Sequence, residues 1–379
     1  MITRPKFALL LWCVLNLFSV TLIAHPEVQV LKKSTSSPFE VKAPSIFDAF
    51  YQPDIAEITI ETDLVELIDN RKRNDYQKAT FTYETAQSGK QSLEMKVKPR
   101  GKFRRRVCDF PPVMLKFPKS TLASAAYNPT FNKLKLVTHC IDEKSVGTEN
   151  VMKEYLTYKM YEELTAQSYR VQLVEITYID SKKKLNKIKR YGFVIEDTDE
   201  MAARLGGTEC ECRNAAPATI NTKSETLMAA FQYMIGNEDW SIPMLRNLKL
   251  VQPKDGSPMI PVPYDFDFSG LVDAPYAVPN TNFGLTSIKD RIYLGLEVSD
   301  DELRAVLSFL NEKRSKLENM INDFKPLKRD GRKEMLAYMD TFYANMDHIT
   351  KASLNNLQEF MKNNPIQAYP KIEGDTMGK

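Results

Sequence analysis

Three aspartates, Asp239, Asp265 and Asp267, are the residues of this chain best suited by type and spacing to do chemistry. Asp265 and Asp267 lie in Pro263-Tyr264-Asp265-Phe266-Asp267-Phe268-Ser269-Gly270, where they alternate with aromatic residues. In an extended segment, side chains two positions apart point the same way, so both carboxylates would face one side and the aromatics the core. Like charges that close repel unless a cation neutralises them, and Mg2+ held by two carboxylates and substrate phosphates is a common solution. A polar edge strand with solvated acids is the plainer alternative, and Tyr264, Phe266 and Phe268 argue against it. Upstream, Gly236-Asn237-Glu238-Asp239-Trp240 ends a helical pattern, and Asn247 lies eight residues beyond Asp239. An acid in a loop, then an Asn, then an acidic turn is an order used for phosphoryl transfer. One Asp accepts the hydroxyl proton while an Asn and another Asp hold the metal. A helix C-cap at Gly236-Asn237 is the bland reading of the first part.

Other mechanisms lack their parts. The histidines number three, His25, His139 and His348, with no spacing that suggests a metal site. There is no G-x-S-x-G elbow. Neither a P-loop nor a G-x-G-x-x-G cradle is present.

The elements that must position the acids follow from periodicity. Ile55 to Ile60, Ala79 to Tyr83 and Leu93 to Val97 alternate apolar and polar residues as strands do, and Val113 to Phe117 and Leu134 to Val137 add two short runs. Their spacing predicts an antiparallel sheet. A helix capped by Thr148 carries Met152, Tyr155, Leu156, Met160 and Leu164 on one face. Val171 to Ile179 and Tyr191 to Ile195 are further strands, joined by a basic turn over 182–190. The second half is helical, with Leu227, Met228, Phe231, Met234 and Ile235 at helix spacing. Leu248 to Val251 and Met259 to Val262 form a short strand pair around Lys254-Asp255-Gly256. Ser299 and Glu302 make a capping box for a helix to about Phe324, and a last helix spans about 332–362. Strands followed by a helical half imply an α+β architecture of two lobes, with a ligand cleft between them near residues 196–215. The expected boundaries are a signal over 1–24, a linker over 25–50, a β-rich lobe over 51–200, a helical lobe over 201–365 and a tail over 366–379.

The chain has 379 residues, 43% hydrophobic and 27% charged, a globular composition. Arg4 and Lys6 precede an uncharged apolar run from Phe7 to Ile23, and Ala24 offers a small residue for cleavage: a secretory signal. This places the protein outside the cytoplasm, in a periplasm, on a cell surface or secreted. A membrane enters only through this segment if it stays uncleaved. Without Arg4 and Lys6 the formal charge falls from +3 to +1, which gives no case for nucleic acid or an acidic membrane as partner. An exported chain permits disulfides. Cys108 with Cys140 is the plausible bridge, and Cys210 and Cys212, one residue apart, are expected to stay reduced or bind metal.

Several short segments, taken in order, resemble one family. They are Arg100-Gly101, Pro111-Pro112-Val113-Met114-Leu115-Lys116-Phe117, Leu134-Lys135-Leu136 leading to Asp142, Glu154-Tyr155-Leu156, and Tyr191-Gly192-Phe193-Val194-Ile195-Glu196. The most specific are Gly236-Asn237-Glu238-Asp239-Trp240 and Pro263-Tyr264-Asp265-Phe266-Asp267. Over about 95–270 the chain resembles the CotH family of spore-coat proteins. The resemblance implies an atypical kinase-like fold, with an N-terminal antiparallel sheet lobe and a mostly helical C-terminal lobe. It implies ATP and Mg2+ or Mn2+ as cofactors, Asp239 as catalytic aspartate, and Asp265, Asp267 and Asn247 as metal ligands. Glu196 would stand near the adenine, Glu154 would pair with a phosphate-binding lysine, either Lys116 or Lys135, and Arg100 would lie beside the nucleotide. The chain departs from the family pattern in having Tyr264 where a Trp precedes the metal Asp. Its Asp239–Asn247 gap is longer, and its loop after Arg100 is rich in Lys102, Arg104, Arg105 and Arg106. That basic loop is either a phosphate grip or an exposed turn.

The function these readings imply is an exported kinase that moves phosphate from ATP to a hydroxyl acceptor, a protein being one option. An exported protein meets little ATP, so the reading needs another donor or a local nucleotide supply. The alternative is a kinase-like fold without activity that binds a partner at the envelope or surface. A third reading is a metal-dependent phosphate-ester hydrolase using the same acids.

Overall fold

A computed structural model describes residues 43–85 and 89–346. The expected signal, most of the expected linker and everything from residue 347 on lie outside them. The described residues form a single compact unit. Among the described residues no helix is long and apolar enough to cross a membrane.

The elements run β1 (Ala56–Thr62), α1 (Leu64–Asp69), β2 (Gln77–Thr85), β3 (Gly89–Pro99), α2 (Arg104–Val107), β4 (Val113–Lys116), α3 (Lys119–Ser124) and β5 (Lys133–Thr138). Then come α4 (Lys144–Leu164), β6 (Val171–Asp180), β7 (Ile188–Ile195), α5 (Thr198–Arg204), β8 (Gly207–Cys210) and α6 (Thr222–Ile235). The chain continues through β9 (Leu248–Pro253), β10 (Ile260–Pro263), α7 (Asp300–Asp323) and α8 (Arg329–Ala344).

The expected two-lobed, kinase-like arrangement is not what forms. β1 pairs in parallel with β6, from Ala56 opposite Val174 to Thr62 opposite Asp180. That pairing closes seven strands into a barrel, in the order β1-β2-β3-β4-β5-β7-β6. A separate three-stranded sheet, β10-β9-β8, lies outside it. Alternation in the sequence says which face of a strand is buried, not which strand it meets. The β1–β6 pair joins segments more than a hundred residues apart and carries no local signal.

Alternate residues of the strands fill the barrel: Ile58, Phe81, Val97, Leu115, Leu136 and Ile176 form its core. A second core lies outside the wall, where α4, α6, α7 and α8 bring together Leu156, Phe231, Leu310 and Met339. β7 serves both cores, with Val194 turned inward and Phe193 and Ile195 outward. Being buried on both faces makes its end read as an unbroken apolar run.

Local details differ from expectation in instructive ways. α4 begins earlier than Thr148: Glu143 is its N-cap and accepts from the Ser145 and Val146 amides. Ile46, Phe47 and Phe50, within the expected linker, are buried. The Ser299–Glu302 capping box forms as the sequence implies. Cys108 and Cys140 are bridged, with Cα atoms 4.5 Å apart. Cys210 and Cys212, expected to stay reduced or bind metal, bring their sulfurs into contact.

The Cys108–Cys140 bridge closes a loop with a sequence separation of 32. Chain-entropy reasoning gives such a loop about 3–4 kcal/mol. Replacing both cysteines by alanine should cost about that much in urea unfolding, with a steeper dependence on denaturant because the unlinked unfolded chain exposes more surface.

Candidate functional site

A single guanidinium organises the site. Arg104, at the start of α2, is 5% exposed. Its Nη2 lies 3.0 Å from Asp267 Oδ1 and 3.4 Å from Glu154 Oε1, and it also donates to Asp265 Oδ1. One oxygen from each of Glu154, Asp265 and Asp267 falls within 4.8 Å of the others. α4 supplies Glu154 and, one turn later, Tyr158, whose hydroxyl accepts from the Asp265 amide at 2.7 Å. Tyr158 packs edge-on against Phe266, with ring centroids 4.7 Å apart. Asp265 and Asp267 do converge, but not as neighbours on a strand. β10 ends at Pro263, and Asp265 has φ 67°, a left-handed conformation. Aspartate tolerates that conformation better than most residues. Phe266 points into the core as expected, while Tyr264 and Phe268 are half-buried.

Asp239 is brought alongside by backbone pairing. α6 ends at Gly236 with φ 64°, and a Cβ there or at Gly270 would collide with the Tyr338 hydroxyl. The two glycines let two segments approach: the Gly270 amide donates to Gly236 O and the Leu271 amide to Ile235 O, each at 3.0 Å. The Asn237 side chain accepts from the Asp239 amide at 3.1 Å. The eight-residue gap to Asn247 closes through a bridge between Ser241 and Arg246, with Leu245 and Asn247 left-handed at φ 51° and 50°. Asn247 Nδ2 then donates to Asp239 O at 2.7 Å and Oδ2 at 2.9 Å, and Arg246 Nη1 donates to Oδ1 at 3.3 Å. Asn247 O accepts from the Tyr264 amide, which ties this turn to the acidic segment. Asn247, expected as a metal ligand, hydrogen-bonds Asp239 and holds that aspartate in place.

The remaining expected residues separate. Lys135 is half-buried on β5. Its ammonium donates to Thr198 Oγ1 at 2.7 Å and lies 4.8 and 5.0 Å from the Tyr169 and Tyr264 ring centres. Burial, then the Arg100 and Lys249 charges, bring its pKa down to about 7. Arg100 acts on Lys135, Tyr158 and Tyr264, so its charge stands near both groups of residues. Lys116 is exposed, with its ammonium 5.5 Å from the Tyr76 ring centre. Glu154 pairs with neither lysine. Glu196 is fully buried and committed to Arg170 and Arg204, at 2.8 and 2.6 Å. It braces the end of β7.

Electrostatically the cluster carries too little positive charge. Three carboxylates face one guanidinium. Burial raises the pKa of Glu154, against the pull of Arg104 and with the help of Asp267 and Asp265. Asp267 is raised in the same way. Burial also raises Asp239; Arg246 opposes this and Asp265 adds to it. Asp267 Oδ2 is buried with no close hydrogen bond among the described residues, although the Tyr276 hydroxyl interacts with this carboxylate and, with Arg104, offsets part of its burial. Oxygen donors, excess negative charge and an unused buried lone pair are what a hard divalent cation requires. Such an ion must share the acids with Arg104 or displace it. These residues therefore fit a divalent cation.

The chain matches no protein-family model and no curated protein.

Arg104 is the residue that the sequence hid. It sits in a run with Lys102, Arg105 and Arg106, and nothing in the run marks the one that turns inward. The following Cys108, fully buried and bridged, anchors the helix turn, and its amide bonds to Arg104 O at 2.9 Å.

An acid whose folded-state pKa lies above its unfolded value takes up protons on folding. Its contribution is complete below the unfolded value and disappears as pH rises through the folded one. Glu154 and Asp267 should therefore make the protein less stable from the ordinary carboxylate range up into neutral pH. Glu154→Gln should shrink the fall in melting temperature between pH 5 and pH 8. An equal fall in both proteins would contradict this.

Proposed function

We propose that the chain transfers a phosphoryl group from a nucleotide, ATP, to a hydroxyl acceptor at the Asp239–Asp265–Asp267 cluster, with Mg2+ or Mn2+ as cofactor. The observation that carries the reading is a half-buried Asp239, held by Asn247 and within electrostatic reach of Asp265 and Asp267, whose carboxylates converge with Glu154.

The roles follow from position. Asp239 receives the proton of the acceptor hydroxyl as that oxygen bonds to the γ-phosphorus and the bond to the ADP oxygen breaks. Its pKa, raised by burial, moves toward the neutral range where a general base works best. Asn247 and Arg246 fix both of its oxygens, which sets its direction. Lys135 and Arg100 supply positive charge for the phosphates. An anion beside Lys135 would restore the protonation that burial and its cationic neighbours oppose. A bound divalent cation would supply neutralisation of charge on the phosphate oxygens.

One observation favours a second reading. Arg104 already bridges Glu154, Asp265 and Asp267, as a purely structural ion cluster would. The protein would then be a binding module of the envelope or cell surface. In that case Asp239→Ala and Asp265→Ala leave its function intact.

The test is thermal unfolding with ATP and Mg2+, followed by phosphate transfer. Millimolar ATP should raise the melting temperature, since ligand at a hundred times its Kd stabilises by about 2.7 kcal/mol. Asp239→Ala should keep that shift yet lose about 10²-fold or more in transfer rate. Absence of a shift with the wild-type protein would refute the nucleotide reading.

A further inference from the structure

We propose that the outer wall of the barrel over β2, β3, β4 and β5 docks an acidic polypeptide in extended form, through a row of lysines that crosses the strands. Lys78 on β2 stands opposite Lys96 on β3, Lys96 opposite Lys116 on β4, and Lys116 opposite Lys133 on β5. Directly opposed residues share a face, and here it is the outer one: Ala79, Val97, Leu115 and Leu134, next to them in sequence, fill the barrel core. All four lysines are exposed, and none is in an ion pair among the described residues. Two residues further along the same face come Lys98, Met114 and Lys135 in register, so the row borders the candidate site.

Like charges directly opposed across strands destabilise a sheet, whereas opposite charges there stabilise it. A fold that lines up four lysines forgoes that stabilisation at three successive strand pairs. The counter-charges nearby lie at the edges of the row: Glu61 and Glu94 flank Thr80 on the same face, Asp75 lies near Lys98, and Asp197 lies near Lys133. The surface is therefore a local concentration of positive charge on a chain of formal net charge only +3.

The dimensions favour an extended peptide. Strands lie about 4.8 Å apart, so the row spans about 14 Å. Acids at alternate positions of an extended chain repeat about every 6.7 Å, which lays three carboxylates along it. The barrel is closed, so no strand edge is free and a peptide must be read through side chains. Two other polyanions fit less well. Base stacking needs exposed aromatic rings. The one ring here, Tyr76, is half-buried with the Lys98 ammonium 4.7 Å from its centre. A membrane surface needs apolar groups to insert, and only the half-buried Met114 lies among these lysines.

The experiment is fluorescence anisotropy of a labelled octaglutamate peptide with the full chain, without nucleotide or metal, at several salt concentrations. It reads docking alone, so it stands or falls separately from phosphate transfer. Wild type should bind, more weakly as salt rises. Lys96→Glu with Lys116→Glu should weaken binding at least tenfold. These changes create opposed Lys–Glu pairs with Lys78 and Lys133, so the variant should melt no lower than wild type. Lys183→Glu with Lys184→Glu, the same charge change on the β6–β7 turn, should leave binding within twofold. The proposal is overturned if both double variants weaken binding equally. Tighter wild-type binding to phosphatidylserine vesicles or duplex DNA than to the peptide also overturns it, as does no peptide binding at low salt. If the charge-reversed protein fails to fold, Lys96→Gln with Lys116→Gln takes its place, with the same tenfold loss expected.

Discussion

The burial of Arg104 among Glu154, Asp265 and Asp267 is the interaction on which the rest of the site depends. A guanidinium withdrawn from water costs several kcal/mol unless carboxylates surround it. The carboxylates in turn would repel one another without it. Each partner comes from a different part of the chain: a short helix after β3, the long helix α4, and the turn after β10. The ion cluster therefore joins the barrel wall to the helical core at one place. Removing Arg104 leaves the buried carboxylates uncompensated, a loss that typically costs about 3–5 kcal/mol.

Around that cluster the backbone does the positioning. Gly236 and Gly270 let two loops touch beneath the Tyr338 hydroxyl. Left-handed residues at Leu245, Asn247 and Asp265 turn the chain where a helix or strand would carry it away. Non-glycine residues in this region are uncommon and cluster where surrounding structure holds them. Three of them within about twenty residues, all beside the acids, mark a segment shaped by its site. The disulfide beside Arg104 adds a covalent brace to the one element, α2, too short to hold itself.

Much of this was legible in the amino-acid sequence, and the gaps have physical causes. Strand alternation located the barrel strands because their inner residues are apolar and their outer ones polar. It could not reveal closure, since the β1–β6 pairing lies far apart in sequence. Asp239, Asn247, Asp265 and Asp267 stood out by type and order; the structure pairs Asp239 with Asn247 and gathers Asp265 and Asp267 with Glu154. The stated reason for Asp265 and Asp267 sharing a side failed, because Asp265 is left-handed. Glu154 was singled out as the helix acid that pairs with a cation, yet the cation is Arg104 and not a strand lysine. A run of arginines gives no sign of which one is buried. Glu196 looked like a ligand-facing acid, but two arginines from neighbouring elements saturate it, and such pairing is invisible until the chain folds.

The central claim is that the cluster's surplus negative charge is a place for a divalent cation, with Asp267 as one of its ligands. Titrating the protein with Mn2+ and following the free ion by electron paramagnetic resonance measures this directly. The account predicts one bound Mn2+ per wild-type chain, with affinity reduced about tenfold or more in Asp267→Asn. No bound Mn2+, or equal binding by both proteins, would contradict it and leave Arg104 as the only cation these acids hold.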